Sequence, residues 1–167
     1  MENSSKNEKK QDSIKELKEK YLVYQERFSL PAFEELNKEF GIEKADKETE
    51  FLLREIIKVI IDKFQNYMRF IEGVLNPSNT SIFIFSVTKL IDNGTKQKLS
   101  EVYKKISEIE LKIIHLDLES SEETEAEFIK NSYKTWKEIK KDLVEVIKFI
   151  EKNWEAPSEQ SKKGYFG

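Results

Sequence analysis

The feature that most constrains the fold of this 167-residue chain is a run of apolar residues with helical spacing between residues 46 and 76. The residues that hold a strict 4,3 alternation, the heptad pattern of coiled coils, are Leu53, Ile57, Ile60, Phe64, Tyr67, Ile71 and Val74. Residues three and four apart share one face of an α-helix, so the run predicts a single long helix. Further apolar residues widen this face, and only a narrow strip through Lys58 is polar. A helix that is apolar around most of its circumference needs neighbours on several sides, which places it at the centre of a bundle.

Similar apolar stripes predict the other helices. A first helix starts near Ser13, and a short second helix ends at Gly41. One further long helix follows Gly94, and another covers residues 121–154. We therefore expect an all-α fold, an elongated antiparallel bundle of three long helices with two shorter N-terminal helices and one short helix at about residues 80–92.

The segment IFIFSV at residues 82–87 conflicts locally with this fold. Its β-branched and aromatic residues are typical of a buried strand, yet the sequence has no second such run to pair with it. We therefore predict a helix, and its apolar residues cover most of its circumference. We expect it to be wedged between the core helix and the N-terminal helices. The alternative is that Phe83 or Phe85 belongs to an exposed patch for a partner or a second copy.

The charged residues bear on the class of partner. Asp, Glu, Lys and Arg make up 37% of the chain, but the net charge is only −3 and the two signs are interleaved. Arginine, the preferred residue for bidentate contacts with phosphates and bases, occurs only at positions 27, 54 and 69. Nucleic-acid binders usually concentrate positive charge on one face, so we expect no nucleic-acid partner. RNA binding through a lysine-rich face remains the weaker alternative.

Compartment and domain boundaries follow from composition. The chain has no cysteine, which removes disulfides and thiolate chemistry and fits a reducing compartment. Its N-terminal residues lack the apolar core of a secretory signal, and no apolar run reaches the roughly 18 residues that cross a bilayer. We therefore expect a cytoplasmic protein without a membrane partner. Residues 1–12 and 158–167 are predicted to be disordered, and residues 13–157 to form one bundle domain.

The residues needed for most catalytic sites are missing. With one histidine, His115, and no cysteine, nucleophilic triads and paired Glu-x-x-His metal sites lack their side chains. The acidic pattern that remains is Glu16-x-x-Glu19 followed by Glu43-x-x-Asp46, which formally matches the carboxylates that hold Mg²⁺ in all-α nucleotide pyrophosphohydrolases. Because 32 of the residues are Asp or Glu, such spacings arise readily by chance. We predict no enzyme activity, cofactor or metal, and keep the pyrophosphohydrolase as the alternative.

Aromatic residues remain as candidates for contacts with a partner. Two tryptophans of the last helix fit the core or the end of the bundle, and two aromatic residues of the polar C-terminal segment bury nothing locally. Aromatic side chains are common anchors of protein interfaces. The predicted interface residues are Phe83, Phe85, Trp136, Trp154, Tyr165 and Phe166. The predicted function is a non-enzymatic interaction module, acting as adaptor, scaffold or regulatory partner, that binds a protein or a second copy of itself through a helix face.

Overall fold

The computed structural model describes residues 2–46 and 48–155. Within these ranges the chain forms helices and no strand, as predicted for an all-α bundle. The α-helices are α1 (Glu2–Phe28), α2 (Phe33–Phe40), α3 (Leu52–Leu75), α4 (Ile82–Leu90), α5 (Asn93–Leu118) and α6 (Glu122–Glu155). Short 3₁₀ turns cover Ile42–Lys44 and Pro77–Asn79. No helix in the described ranges is both long enough and apolar enough to cross a bilayer.

Ion pairs between α5 and α6 establish that these helices are antiparallel. Lys98 of α5 pairs with Glu145 of α6, and Lys105 of α5 pairs with Glu138. From one pair to the next the position rises by seven on α5 (98 to 105) and falls by seven on α6 (145 to 138). The two helices therefore run in opposite directions along their contact, as expected for helices joined by a short turn.

Helix α3 lies at the centre of the bundle, where it packs against α2, α4, α5 and α6. Its buried residues are Leu52, Leu53, Ile56, Ile57, Ile60, Phe64, Met68, Ile71 and Val74. The ring of Phe64 is fully buried, and its centroid lies 6.1 Å from that of Trp136 on α6. The central position predicted from the apolar spacing is confirmed.

The start of α3 differs from the prediction of a helix from Asp46. The carboxylate of Asp46 accepts the backbone N–H of Glu48, and the hydroxyl of Thr49 accepts that of Phe51. Such short-range bonds give the backbone an alternative to the helix. The first helical residue is therefore Leu52.

Helix α1 also begins at a different residue from the predicted one. It starts at Glu2 rather than near Ser13, so helical backbone covers residues 2–12, for which disorder was predicted. Six of the eleven residues 2–12 are Glu, Lys or Gln, and neither Gly nor Pro occurs, so the composition is compatible with a helix. Farther along α1, the hydroxyl of Tyr21 donates to the backbone carbonyl of Pro31 at 2.7 Å and fastens the turn into α2.

Helix α4 forms where a short helix was predicted, but it lies in a different place. Its N-cap is Ser81, whose hydroxyl accepts the backbone N–H of Ile84, and Val87 is its buried residue. The helix packs against α3 and α6. The expectation that residues 82–87 are wedged against the N-terminal helices is therefore wrong, and Phe83 and Phe85 are exposed.

Candidate interaction surface

Exposed apolar side chains meet where α4 packs beside the end of α6. The side chains of Ile82, Phe83, Phe85 and Trp154 are 87%, 56%, 48% and 51% exposed. The rings of Phe83 and Trp154 are in contact, with centroids 5.7 Å apart. We call these four residues the α4 patch. Soluble monomers rarely leave large apolar side chains together in water unless the surface binds something.

The way α4 sits on α3 explains why this patch is exposed. Ile84 approaches Gly73 of α3 so closely that a Cβ at Gly73 would lie 3.2 Å from the Ile84 Cγ2 atom. Val87 is buried on the same side of α4. Since successive helical residues point about 100° apart, a helix seated through Ile84 and Val87 turns Phe85 away from the core. Phe83, four residues before Val87, lies at the edge of the seated face and is 56% exposed.

The polar groups of α4 are satisfied within the helix. The hydroxyls of Ser86 and Thr88 donate to the carbonyls of Ile82 and Ile84, each at 2.9 Å. The ammonium of Lys89 lies 4.4 Å from the centroid of the Phe85 ring, a cation–π geometry. The outward face of α4 is therefore apolar, with one adjacent positive charge.

A groove of about 420 Å³ runs along α6 on the side that faces α2 and α3. The residues that line it are Lys38, Glu39, Lys63, Tyr67, Trp136, Lys140, Leu143, Val144, Ile147, Lys148 and Glu151. We call it the α6 groove. Val144 and Ile147 in its wall are 44% and 39% exposed. Because Trp154 follows Ile147 by seven residues on the same helix face, the groove leads towards the α4 patch.

Glu39 closes the groove at its α2 end. Its carboxylate accepts the indole N–H of Trp136 at 2.7 Å and the ammonium of Lys140 at 2.8 Å. Burial raises the pKa of Glu39, but the hydrogen bonds from Lys140 and Trp136 outweigh it, so the pKa lies below its ordinary value. The carboxylate is therefore held in its charged form and ties α2 to α6.

Lys63 of α3 joins the same network. Its ammonium donates to the backbone carbonyl of Glu39 and lies 4.2 Å from the centroid of the Trp136 ring. Burial lowers the pKa of Lys63, although the Glu39 carboxylate acts in the opposite direction. Glu39 and Lys63 were not predicted as site residues, because the contact between α2, α3 and α6 that joins them is not visible in the spacing of any one helix.

The two predicted tryptophans occupy different environments. Trp136 is 3% exposed and packs against Phe40, Phe64 and Tyr67, so it is a core residue whose indole reaches the groove. Trp154 is half exposed and belongs to the α4 patch. The other two predicted interface aromatics, Tyr165 and Phe166, lie outside the described residues.

The carboxylates of the alternative magnesium site are Glu16, Glu19, Glu43 and Asp46. The first two lie on α1 and the second two follow α2. Glu43 accepts the side-chain amide N–H of Asn37 at 3.2 Å, while the amide oxygen of Asn37 accepts the backbone N–H of Glu43 at 2.8 Å. In the part of the chain that the structure describes, no three His, Asp or Glu side chains are grouped closely enough to hold a metal ion. The fold does not bring these four carboxylates together as a site.

A second cleft, of about 340 Å³, lies between α3, α5 and the start of α6. It contains Glu125, which is 6% exposed and accepts the Arg54 guanidinium at 2.7 Å and the Ser120 hydroxyl at 2.8 Å. Arg54 also donates to the Ser120 hydroxyl at 2.8 Å. These three side chains satisfy one another, so they connect α3 to the turn between α5 and α6.

Comparisons of the chain with protein-family models, with curated proteins and with solved structures found no match. The inference of function therefore depends on the two surfaces described above, the α4 patch and the α6 groove.

Proposed function

We propose that this chain is a non-enzymatic helical-bundle module that binds a protein partner through the α4 patch, as an adaptor, scaffold or regulatory partner. The observation that carries the proposal is the exposed contact between Phe83 and Trp154, flanked by Ile82 and Phe85. The cysteine-free composition supports a cytoplasmic location for this interaction.

The chemistry of the patch is that of an interface centre. Aromatic residues are enriched among the side chains that contribute most to binding, and such residues cluster where water is excluded. In the α4 patch, aromatic rings from two helices already touch before any partner is bound. A partner therefore meets large apolar side chains that are preorganised, which lowers the entropy lost on binding.

The attachment of α4 supports the same interpretation. The helix is anchored on α3 by Val87 and by the close approach of Ile84 to Gly73, while about half of each exposed ring remains open to solvent. A helix needed only to cover the core is expected to carry polar residues on its outward face. The apolar outward face of α4 thus serves a contact outside the described bundle.

Substitution of the exposed rings tests the proposal. Phe83→Asp and Phe85→Asp are each compared with Leu111→Asp, which places the same charge at another exposed apolar residue, on α5. We expect all three variants to keep the helical circular dichroism of the wild type. Partners captured by the immobilised wild-type chain from an extract of its native host are expected to be lost from the two α4 variants and kept by Leu111→Asp.

Light scattering on the same proteins identifies self-association. A wild-type dimer that becomes a folded monomer in Phe83→Asp would show that the partner is a second copy, bound through the same patch. Variants that remain folded and monomeric and still capture every partner of the wild type would contradict the proposal.

A further inference from the structure

The α6 groove exists because its neighbouring helix is short. Helix α2 ends at Phe40, where Gly41 with φ of 72° forms the C-cap. From Lys140 to Trp154, a length of about 21 Å at the rise of an α-helix, α6 continues beyond the end of α2. In the wall of the groove, Val144 and Ile147 remain partly exposed.

The first part of α1 contains no apolar residue that could cover this surface. Residues 2–13 contain no apolar side chain, and the first one in α1 is Ile14. Covering Val144 and Ile147 requires apolar side chains from elsewhere, since burying them against polar groups would leave those groups without hydrogen bonds.

The charges around the groove indicate the chemistry of the partner that it binds. Four of the described lining residues are lysines and two are glutamates: Lys38, Lys63, Lys140, Lys148, Glu39 and Glu151. Glu39 and Lys140 pair with each other, which leaves Lys38, Lys63 and Lys148 against Glu151. The rim is therefore net positive on a chain whose net charge is −3.

Two occupants from this chain itself are disfavoured by that charge. A second copy bound by two-fold symmetry through the groove would set one lysine rim against the other. The C-terminal segment has aromatic residues, but it carries Lys162 and Lys163 against a single Glu159. Like charges brought together at an interface oppose binding, so an acidic partner fits better than either.

We propose that the α6 groove binds an acidic amphipathic helix of another protein. Such a helix lies along α6 for about four turns, with apolar side chains at i, i+3 or i+4, and i+7 placed on Val144 and Ile147. Its Asp and Glu residues face the lysines of the rim. The inference rests on the proposed function, because it defines the partner chemistry for a surface that leads to the α4 patch.

A labelled synthetic peptide tests the proposal on the full chain by fluorescence anisotropy. The probe is a Leu/Glu amphipathic helix of about 16 residues, and its control replaces every Glu with Lys. We expect the acidic peptide to bind, its affinity to fall with added salt, and the basic peptide not to bind. Failure of the acidic peptide to bind at about 1 mM, or equal binding of the basic peptide, would overturn the proposal.

Matched variants locate the peptide. Val144→Asp is compared with Val23→Asp, an exposed valine of α1, and Lys148→Glu with Lys104→Glu, an exposed lysine of α5. We expect Val144→Asp and Lys148→Glu to weaken binding about tenfold, as expected when an apolar contact is lost or an ion pair becomes a repulsion. The peptide affinity of each control variant, on α1 or α5, should stay within about twofold of the wild-type value, a change smaller than that expected from losing one contact. Equal effects in the groove variants and their controls would place the peptide elsewhere.

Two further measurements distinguish binding in the α6 groove from binding at the α4 patch and from nucleic-acid binding. If Phe83→Asp abolishes binding while Val144→Asp does not, the peptide occupies the α4 patch and the groove proposal fails. Loss of peptide binding in Val144→Asp supports binding in the groove, whether or not Phe83→Asp also weakens it. A single-stranded RNA oligonucleotide that binds more tightly than the acidic peptide would identify a nucleic-acid surface and overturn the proposal.

Discussion

Glu39 shows how one residue links several parts of the fold. Its side chain is 15% exposed and receives hydrogen bonds from Trp136 and Lys140 on α6. The backbone carbonyl of the same residue accepts the ammonium of Lys63 on α3. A partly buried carboxylate that accepts hydrogen bonds from charged and neutral donors contributes more to the stability of the folded state than an exposed ion pair does. The groups of this single residue therefore link the short helix α2 to two long helices.

Replacing Glu39 with Gln should lower the free energy of unfolding at neutral pH by about 1.5–3 kcal/mol, the usual contribution of a hydrogen bond to a charged group. The pKa of Glu39 is below its ordinary value, so its contribution is present above the unfolded-state pKa, about 4.3, and is lost as pH falls through the folded-state pKa. Urea denaturation from neutral to acidic pH should show the wild type and Glu39→Gln converging.

The control is Glu138→Gln, because Glu138 makes an exposed pair with Lys105 at 3.4 Å. We expect it to change the free energy of unfolding by less than about 0.5 kcal/mol. A gap between wild type and Glu39→Gln that persists at acidic pH would mean that packing, rather than the charge, causes the effect.

At the scale of elements, the long helices were predictable because their apolar residues repeat every three or four positions, and this repeat depends on the local chain alone. The start of α1 was not predictable in this way, since a polar segment without Gly or Pro is compatible with both helix and disorder. For α4 the helix was predicted correctly and its neighbours were not. Periodicity identifies an apolar face without specifying which element covers it.

The two tryptophans of α6 illustrate the same limit. Trp136 and Trp154 are separated by 18 residues, which is five helical turns, so they lie on one face. The first is buried and the second is half exposed. The difference arises because α2 and α3 cover the helix beside Trp136, whereas Trp154 packs on Phe83, which is itself half exposed. Sequence spacing predicted the face and could not predict the length of its neighbours.

Alanine substitutions at two helical glycines, Gly73 and Gly94, test how closely α4 packs on α3. A Cβ at Gly73 would lie 3.2 Å from Ile84 and 3.3 Å from Thr80, whereas at Gly94 the nearest atom, of Asp92, is 3.6 Å away. Where alanine can adopt the native backbone conformation of a glycine, the substitution stabilises a protein by roughly 0.4–1 kcal/mol. We expect Gly94→Ala to raise the free energy of unfolding by about that amount. Gly73→Ala should give no gain, because Ile84 and Thr80 must move.

Chemical denaturation of both variants measures this difference. Equal stabilisation by Gly73→Ala and Gly94→Ala would show that α4 does not press against Gly73, and that the exposure of Phe85 has another cause. Retained partner binding in Gly73→Ala would additionally show that a small shift of α4 leaves the α4 patch intact.

For the whole molecule, the issue is whether the chain is a binding module or a metal-dependent enzyme. A set of carboxylates that converges on one point repels itself, and a bound divalent cation then stabilises the folded state by mass action. The candidates Glu16 and Glu19 lie on α1, while Glu43 is bonded to Asn37. This arrangement does not concentrate negative charge as a Mg²⁺ site requires.

We therefore expect the melting temperature to be the same with and without millimolar Mg²⁺ or Mn²⁺, and the same in Glu19→Gln as in the wild type. Scanning calorimetry in both salts checks this, with Ca²⁺ at equal ionic strength to remove general screening. A rise of several degrees in Mg²⁺ that disappears in Glu19→Gln would establish a metal site on α1 and favour the pyrophosphohydrolase. A rise of equal size in both proteins would instead reflect weak cation binding to a surface in which acidic residues are abundant, and would leave the interaction module in place.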